Sequence, residues 1–127
     1  LYAGASHPLF AADHAALDWD ALRAWPFAGL GYHSPNMELG HRERLPRKAT
    51  GFDQESIATL ILSGRYLGFL PDHYAEAFER RGHMRAIRPE LFFYCCEFVS
   101  VLRRSPQPAR AAQAFAQCLR EAHGAPS

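Results

Sequence analysis

The chain has 127 residues, 48% of them hydrophobic, and 14 basic against 13 acidic side chains give a net charge of +1. That is the composition of one ordinary globular domain or a piece of one, long enough to bury a core. A near-neutral balance removes any general electrostatic reason to bind nucleic acid or an anionic membrane surface, and no apolar run reaches the ~18 residues that a membrane span needs.

In chain order, Leu1–Ala5 reads as a short strand and His7-Pro8 as a turn. No secretion signal is expected from the chain's first residues. It opens on Leu1 rather than Met, and LYAGA resembles the inside of a strand, so a chain cut from something longer is expected. Asp18 predicts a helix N-cap with Leu17 and Leu22 as its hydrophobic staple, and Pro26 ends that helix after Trp25. Phe27–Gly31 is a short apolar run between turn signals, a strand candidate. His33–Pro46, with its Pro, Asn and Gly, reads as a loop holding at most one helical turn.

Asp53 opens the clearest helix, poised to accept a hydrogen bond from the Ser56 N–H. Phe52 and Ile57 hold the staple positions, Ile57, Leu60 and Ile61 form the apolar stripe, and Gly64 supplies a left-handed C-terminal cap. Tyr66–Leu70 is a short strand running into Pro71-Asp72, where Asp72 is the expected cap of a helix over His73–Arg81 that Gly82 ends. Met84–Ile87 is an edge-strand candidate and Phe92–Leu102 a long β-rich run. Ser105-Pro106 is expected to open the last helix, with Ala112, Phe115, Ala116 and Leu119 as its apolar face and Gly124 as its end. Strands alternate with helices, which predicts an α/β fold with a mostly parallel sheet.

The chemistry-bearing residues point away from catalysis. Three cysteines, two of them adjacent (Cys95, Cys96 and Cys118), make no disulfide framework. Cys95 and Cys96 read as small buried hydrophobes in a reducing cytoplasm. Seven histidines form no short ligand pair and no cysteine pair has zinc-ligand spacing, so no metal site is expected. There is no GxSxG elbow and no phosphate-binding glycine loop, so neither a catalytic residue nor a cofactor is assigned. The basic stretch His41–Lys48, HRERLPRK, reads as a solvated loop, with an anionic partner as the lesser alternative.

Strand ends are more informative. Ligands of open α/β sheets bind beyond the carboxyl ends of strands, and helix starts there offer free backbone N–H groups. Three such ends are expected. Tyr32, His33 and Ser34 follow the first, Phe52 precedes the Asp53 cap at the second, and Phe69, Leu70 and Pro71 mark the third. Tyr32 and Phe69 would give stacking surface and His33 and Ser34 hydrogen bonds, while N–H groups near Phe52 and Asp72 would suit a carboxylate. Packing and capping alone also explain each piece.

At this point the residues resemble a family. LYAGASHPLF is similar to a crossover strand ending in a His-Pro-Leu turn, and LDWDALRAWPFAGLGYHS to the cap, helix and strand that follow it in the sensing domain of LysR-type regulators. GFDQESIATLILSGRYLGFLPDHYAEAF matches that family's helix, glycine, short strand and proline turn, with Gly64–Phe78 the most specific part. FVSVLRRSPQPARAAQAFAQCLREA resembles the family's return strand and final helix. The resemblance implies a fragment of a two-lobed, periplasmic-binding-protein-like domain with Rossmann-like lobes. Residues 1–10 would be the crossover, 11–90 the second lobe, and 91–127 the return strand and helix of the first. It also implies a small-molecule effector, carboxylate or aromatic, held between lobes, a homodimer or higher oligomer, and DNA contact only through a winged helix-turn-helix outside this chain. The last helix should leave its Ala112–Phe115–Leu119 face to be covered by its own lobe, another chain or the first lobe. Two other readings are a solute-binding protein of a transport system, with the same architecture, and a small α/β enzyme.

Overall fold

Strands β1 (Tyr2–Gly4), β2 (Phe27–Leu30), β3 (Arg47–Gly51), β4 (Leu67–Gly68) and β5 (Met84–Ala86) form one sheet in the order β3-β2-β4-β1-β5 in a computed structural model that describes residues 1–124. β2 pairs in parallel with β3 and β4, whereas β1 runs antiparallel to both β4 and β5. Four strands therefore share one direction, and only β1 opposes them. Helices α1 (Trp19–Leu22), α2 (Pro35–Arg42), α3 (Gln54–Leu62) and α4 (Asp72–Arg80) connect them. The chain divides into two units, Leu1–Cys95 and the stretch from Cys96 onward, which carries α5 (Arg110–Ala122).

The first unit has a core on each face of its sheet. Ile57, Ile61 and Ala58 of α3 pack with Ala28, Leu30 and Met84 on one face. Phe27, Leu67, Phe69, Leu22, Leu39 and Phe92 pack on the other. Ile57 and Ile61 are both 0% exposed, and burial on that scale stabilises by about 1.5–3 kcal/mol per side chain. The sequence cues for α3 hold. Asp53 Oδ1 accepts from Ser56 N at 2.7 Å, and Gly64 closes the helix at φ +72. Gly64 could not be replaced freely, because a Cβ there would lie 2.7 Å from Ser6 Cβ. α1 is likewise capped, Asp18 Oδ1 accepting from Ala21 N at 2.8 Å, and β5 is the edge strand expected at Met84.

The segment from Ser6 to Asp18 contains no helix or strand and is held by hydrogen bonds instead. His7 Nδ1 accepts from Leu9 N at 3.1 Å, and its ring lies 5.1 Å from that of Trp25. Burial in this turn pushes the His7 imidazole below its ordinary pKa. Arg85 Nη1 donates to the Phe10 carbonyl at 2.7 Å and Arg88 Nη1 to the Leu17 carbonyl at 2.7 Å.

Several expectations are corrected. His33–Pro46 is mostly helix. Ser34 Oγ accepts from Met37 N at 3.3 Å to start α2, with Pro35 in its first turn. Asn36 is a tertiary anchor rather than a loop former, for its Oδ1 accepts from Leu30 N at 2.9 Å. Polar Arg47–Gly51 is a full strand because β2 supplies its ladder. Asp72 is the first residue of α4 rather than its cap. Pro71 holds the cap position without a side-chain bond, and the helix runs Asp72–Arg80 instead of His73–Arg81.

The β-rich run Phe92–Leu102 forms no strand. β propensity expresses itself only against a neighbouring strand, and among the described residues none pairs with it. Cys95 and Cys96 are correspondingly exposed, as is Cys118, against the expectation of burial. The last helix begins at Arg110, not at Pro106. Pro108 disfavours helical backbone at Gln107 and so bars an earlier start. Phe115 on its apolar face is 65% exposed.

Candidate functional site

β2, β3 and β4 lie side by side and point the same way, so their carboxyl ends meet along one rim. The register brings Leu30 opposite Gly51, and Gly31 N continues the ladder to the Gly51 carbonyl at 2.9 Å. Tyr32 and Phe52 thus leave neighbouring strand ends. A Cβ on Gly31 would fall 2.8 Å from the Phe52 ring and 2.6 Å from the Thr50 methyl, so the ring lies against bare backbone. Tyr32 is 45% and Phe52 69% exposed, which makes them two aromatic surfaces open to a ligand.

The other expected positions divide by burial. His33 Nε2 lies 3.2 Å from Glu38 Oε1 and is exposed. Ser34 is committed to the backbone, donating to the Tyr32 carbonyl at 3.1 Å while capping α2. Phe69 and Leu70 are buried and Pro71 is half-buried. Phe69 packs edge-on to Phe27 and to Tyr94, with centroids 5.9 and 5.3 Å apart. It supports the rim from beneath and offers no stacking face. Ala28 opposite Gly68 places the Phe69–Pro71 turn beside the end of β2. No hydrogen bond joins that turn to Tyr32–Ser34 among the described residues.

The helix starts at this rim already hold carboxylates of the chain. Asp53 caps α3, and the Ser56 hydrogen bonds keep its carboxyl below the usual carboxylate pKa. Asp72 Oδ1 accepts from His73 N at 2.7 Å. An anion seated at either start would face this negative charge.

Two further side chains shape the rim without having been singled out in the sequence. Asn36, 1% exposed, holds the end of β2 through Leu30 N and donates from Nδ2 to Tyr94 Oη at 3.3 Å. Tyr94 joins that bond to the Phe69 ring. An asparagine two residues after a helix cap carries no sequence signal of this role, since its partners are 6 and 58 positions away.

Among the described residues no three His, Cys, Asp or Glu side chains converge as a metal site, and no helix is long and apolar enough to cross a membrane.

The family model for the LysR substrate binding domain matches residues 1–124. The chain belongs to the LysR substrate-binding-domain family. It is also 29% identical over 119 residues to the HTH-type transcriptional activator BauR of Pseudomonas aeruginosa, an alignment covering 94% of this chain and 39% of that protein. The chain therefore spans well under half the length of this relative. No solved structure matches. Membership makes the fold periplasmic-binding-protein-like, type 2, with which the mixed α/β sheet agrees. It makes the chain a stretch of LysR substrate-binding domain.

Proposed function

We propose that this chain forms one wall of a small-molecule effector site in a LysR-type transcription regulator. Tyr32, His33, Ser34, Phe52, Phe69, Leu70 and Pro71 would contribute to that wall. The observation that supports this best is the convergence of three parallel strand ends on one rim, with exposed Tyr32 and Phe52 beside each other. Tyr32 and Phe52 are the contact surface for an aromatic or apolar body, and His33 is the exposed hydrogen-bonding group. Ser34, Phe69, Leu70 and Pro71 hold the loops in place. A carboxylate on the effector would be met by His33 and loop N–H groups rather than by the α3 and α4 starts, where Asp53 and Asp72 already sit.

In this reading residues 1–10 are the crossover, 11–90 the second lobe, and 91–127 the return to a first lobe that carries the opposite wall. The regulator is a cytoplasmic homodimer or higher oligomer, not bound to membranes. It touches DNA through a winged helix-turn-helix outside this chain, and effector binding shifts the balance of lobe and oligomer geometries. The test is ligand stabilisation of the longer regulator, screened with small aromatic and aliphatic acids. A compound that raises its Tm should lose at least tenfold in affinity in both Tyr32→Ala and Phe52→Ala. Undiminished affinity in both variants would sink the site.

A further inference from the structure

A second concavity lies behind the strand-end rim, adjoining it at Leu30 and Asn36, on the flank where α2 crosses β2 and the edge strand β3. It has a volume of about 280 Å³, just below the ~300–1,000 Å³ range of ligand pockets. Its walls are mixed, apolar from Phe27, Leu30, Met37 and Leu45 and polar from Asn36, His41 and Arg47, and it shares no residue with the seven proposed for the rim. Gly29 and Gly40 leave it open from the sheet and from the helix. A Cβ on Gly29 would sit 3.0 Å from both Phe27 Cε1 and Arg47 Cδ, so any side chain there would encroach on it.

Its polar groups are donors of a kind that suits an anion. Asn36 is 1% exposed and lines the cleft; one N–H of its amide goes to Tyr94, and a second remains on the same nitrogen. Arg47 is turned back over the ladder. Its Nη1 donates to the Leu30 carbonyl at 3.1 Å, and it forms no ion pair among the described residues. A planar guanidinium with one corner fixed in this way presents its other N–H groups in a set orientation, the geometry that binds carboxylates well. Arginine on an edge strand has a plainer use, keeping other strands from pairing there. Lys48 next to it, exposed as Arg47 is, serves that use without lining the cleft. Arg47 differs because its guanidinium lines the cleft and is tethered there to the Leu30 carbonyl. The carbonyls of Leu39, His41 and Gly40 at the end of α2 accept from the Glu43, Arg44 and Leu45 N–H groups, and the partial negative charge of that helix end is what the Arg47 cation must outweigh.

We propose that the cleft between α2 and the β2–β3 ladder is a second small-molecule site, taking a carboxylate with a single-ring or short apolar body, with Arg47 as its anion anchor. Titration of the ¹⁵N-labelled 127-residue chain with benzoate, and with neutral benzamide as its isostere, tests this. Benzoate should shift the amides of Gly29, Gly40 and His41, and should bind at least tenfold more weakly to Arg47→Gln. Benzamide affinity should be the same in both proteins, and Lys48→Gln should bind benzoate as the unaltered chain does. Amide spectra of the two variants that overlay on the parent away from the substitution show that the fold is kept. Three results would overturn the proposal. They are shifts confined to Gly31, Phe52 and Leu70, which would report the strand-end rim instead; no shift at Gly29 and Gly40 at saturating benzoate; and equal losses in Arg47→Gln and Lys48→Gln, which would mean diffuse surface charge.

Discussion

The stretch through Cys95 and the stretch from Cys96 onward are both rich in apolar side chains, yet they use them differently. In the first, Ile57, Ile61, Ile87 and Phe92 are 0% exposed and a sheet joins them. In the second, Phe98, Val99 and Val101 are 86%, 78% and 88% exposed, although their sequence reads as a better strand than Arg47–Gly51 does. A strand is a property of a pair. RKATG becomes one because β2 presents an open edge to it, and FVSV does not because nothing within the described residues offers one. Hydrophobic content marks a segment as wanting a partner without supplying it.

That contrast is open to direct attack. The largest effect is expected from Ile61→Ala, which removes a fully buried side chain packed between α3 and the sheet. It should destabilise the first unit by about 2–5 kcal/mol in chemical denaturation, and a loss below 1 kcal/mol would mean that this core is loosely packed. A smaller effect should follow acidification. Burial lowers the folded pKa of His7, so the unfolded chain binds the proton more readily. Stability should then be full above the unfolded value of about 6.5 and decline as the pH falls below it. His7→Asn keeps an acceptor for Leu9 N and removes the titration, so its Tm should vary less between pH 5 and 7 than that of the unaltered chain. The smallest effect belongs to the second stretch. Phe98→Ser and Val101→Ser in the 127-residue chain should each change the stability of the first unit by no more than about 0.5 kcal/mol. In the longer regulator, where the proposed first lobe would cover this run, the same changes should lower Tm. A null result there would argue against a return to that lobe.

Much of the first unit was legible before any coordinates, wherever a cue acts over a few residues. Asp18 and Asp53 cap helices three positions on, and Gly64 and Gly82 take the positive φ that ends α3 and α4. The rim was legible for the same reason, since Tyr32, Phe52 and Pro71 each directly follow or border a local strand-to-helix change. The errors fall where local cues compete with distant ones. Pro, Asn and Gly in the 33–46 segment look like loop formers, yet the helix there is held by a contact between Asn36 and a strand. Asp72 looks like a cap, but Pro71 places it inside the helix.

The sequence by itself determined α1 and α3 with their Asp caps, the family and the three strand-to-helix junctions, because these rest on neighbours within about one helical turn. Tertiary structure alone decided which of those junctions share a rim, that Phe69 lies beneath it while Phe52 lies open on it, and that Arg47 reaches across Gly29 to the Leu30 carbonyl. Those outcomes depend on sheet order and register, which join residues far apart in the chain. The same dependence leaves the β-rich run after Phe92 without strand structure and largely exposed, since its propensity needs a neighbouring strand to become structure.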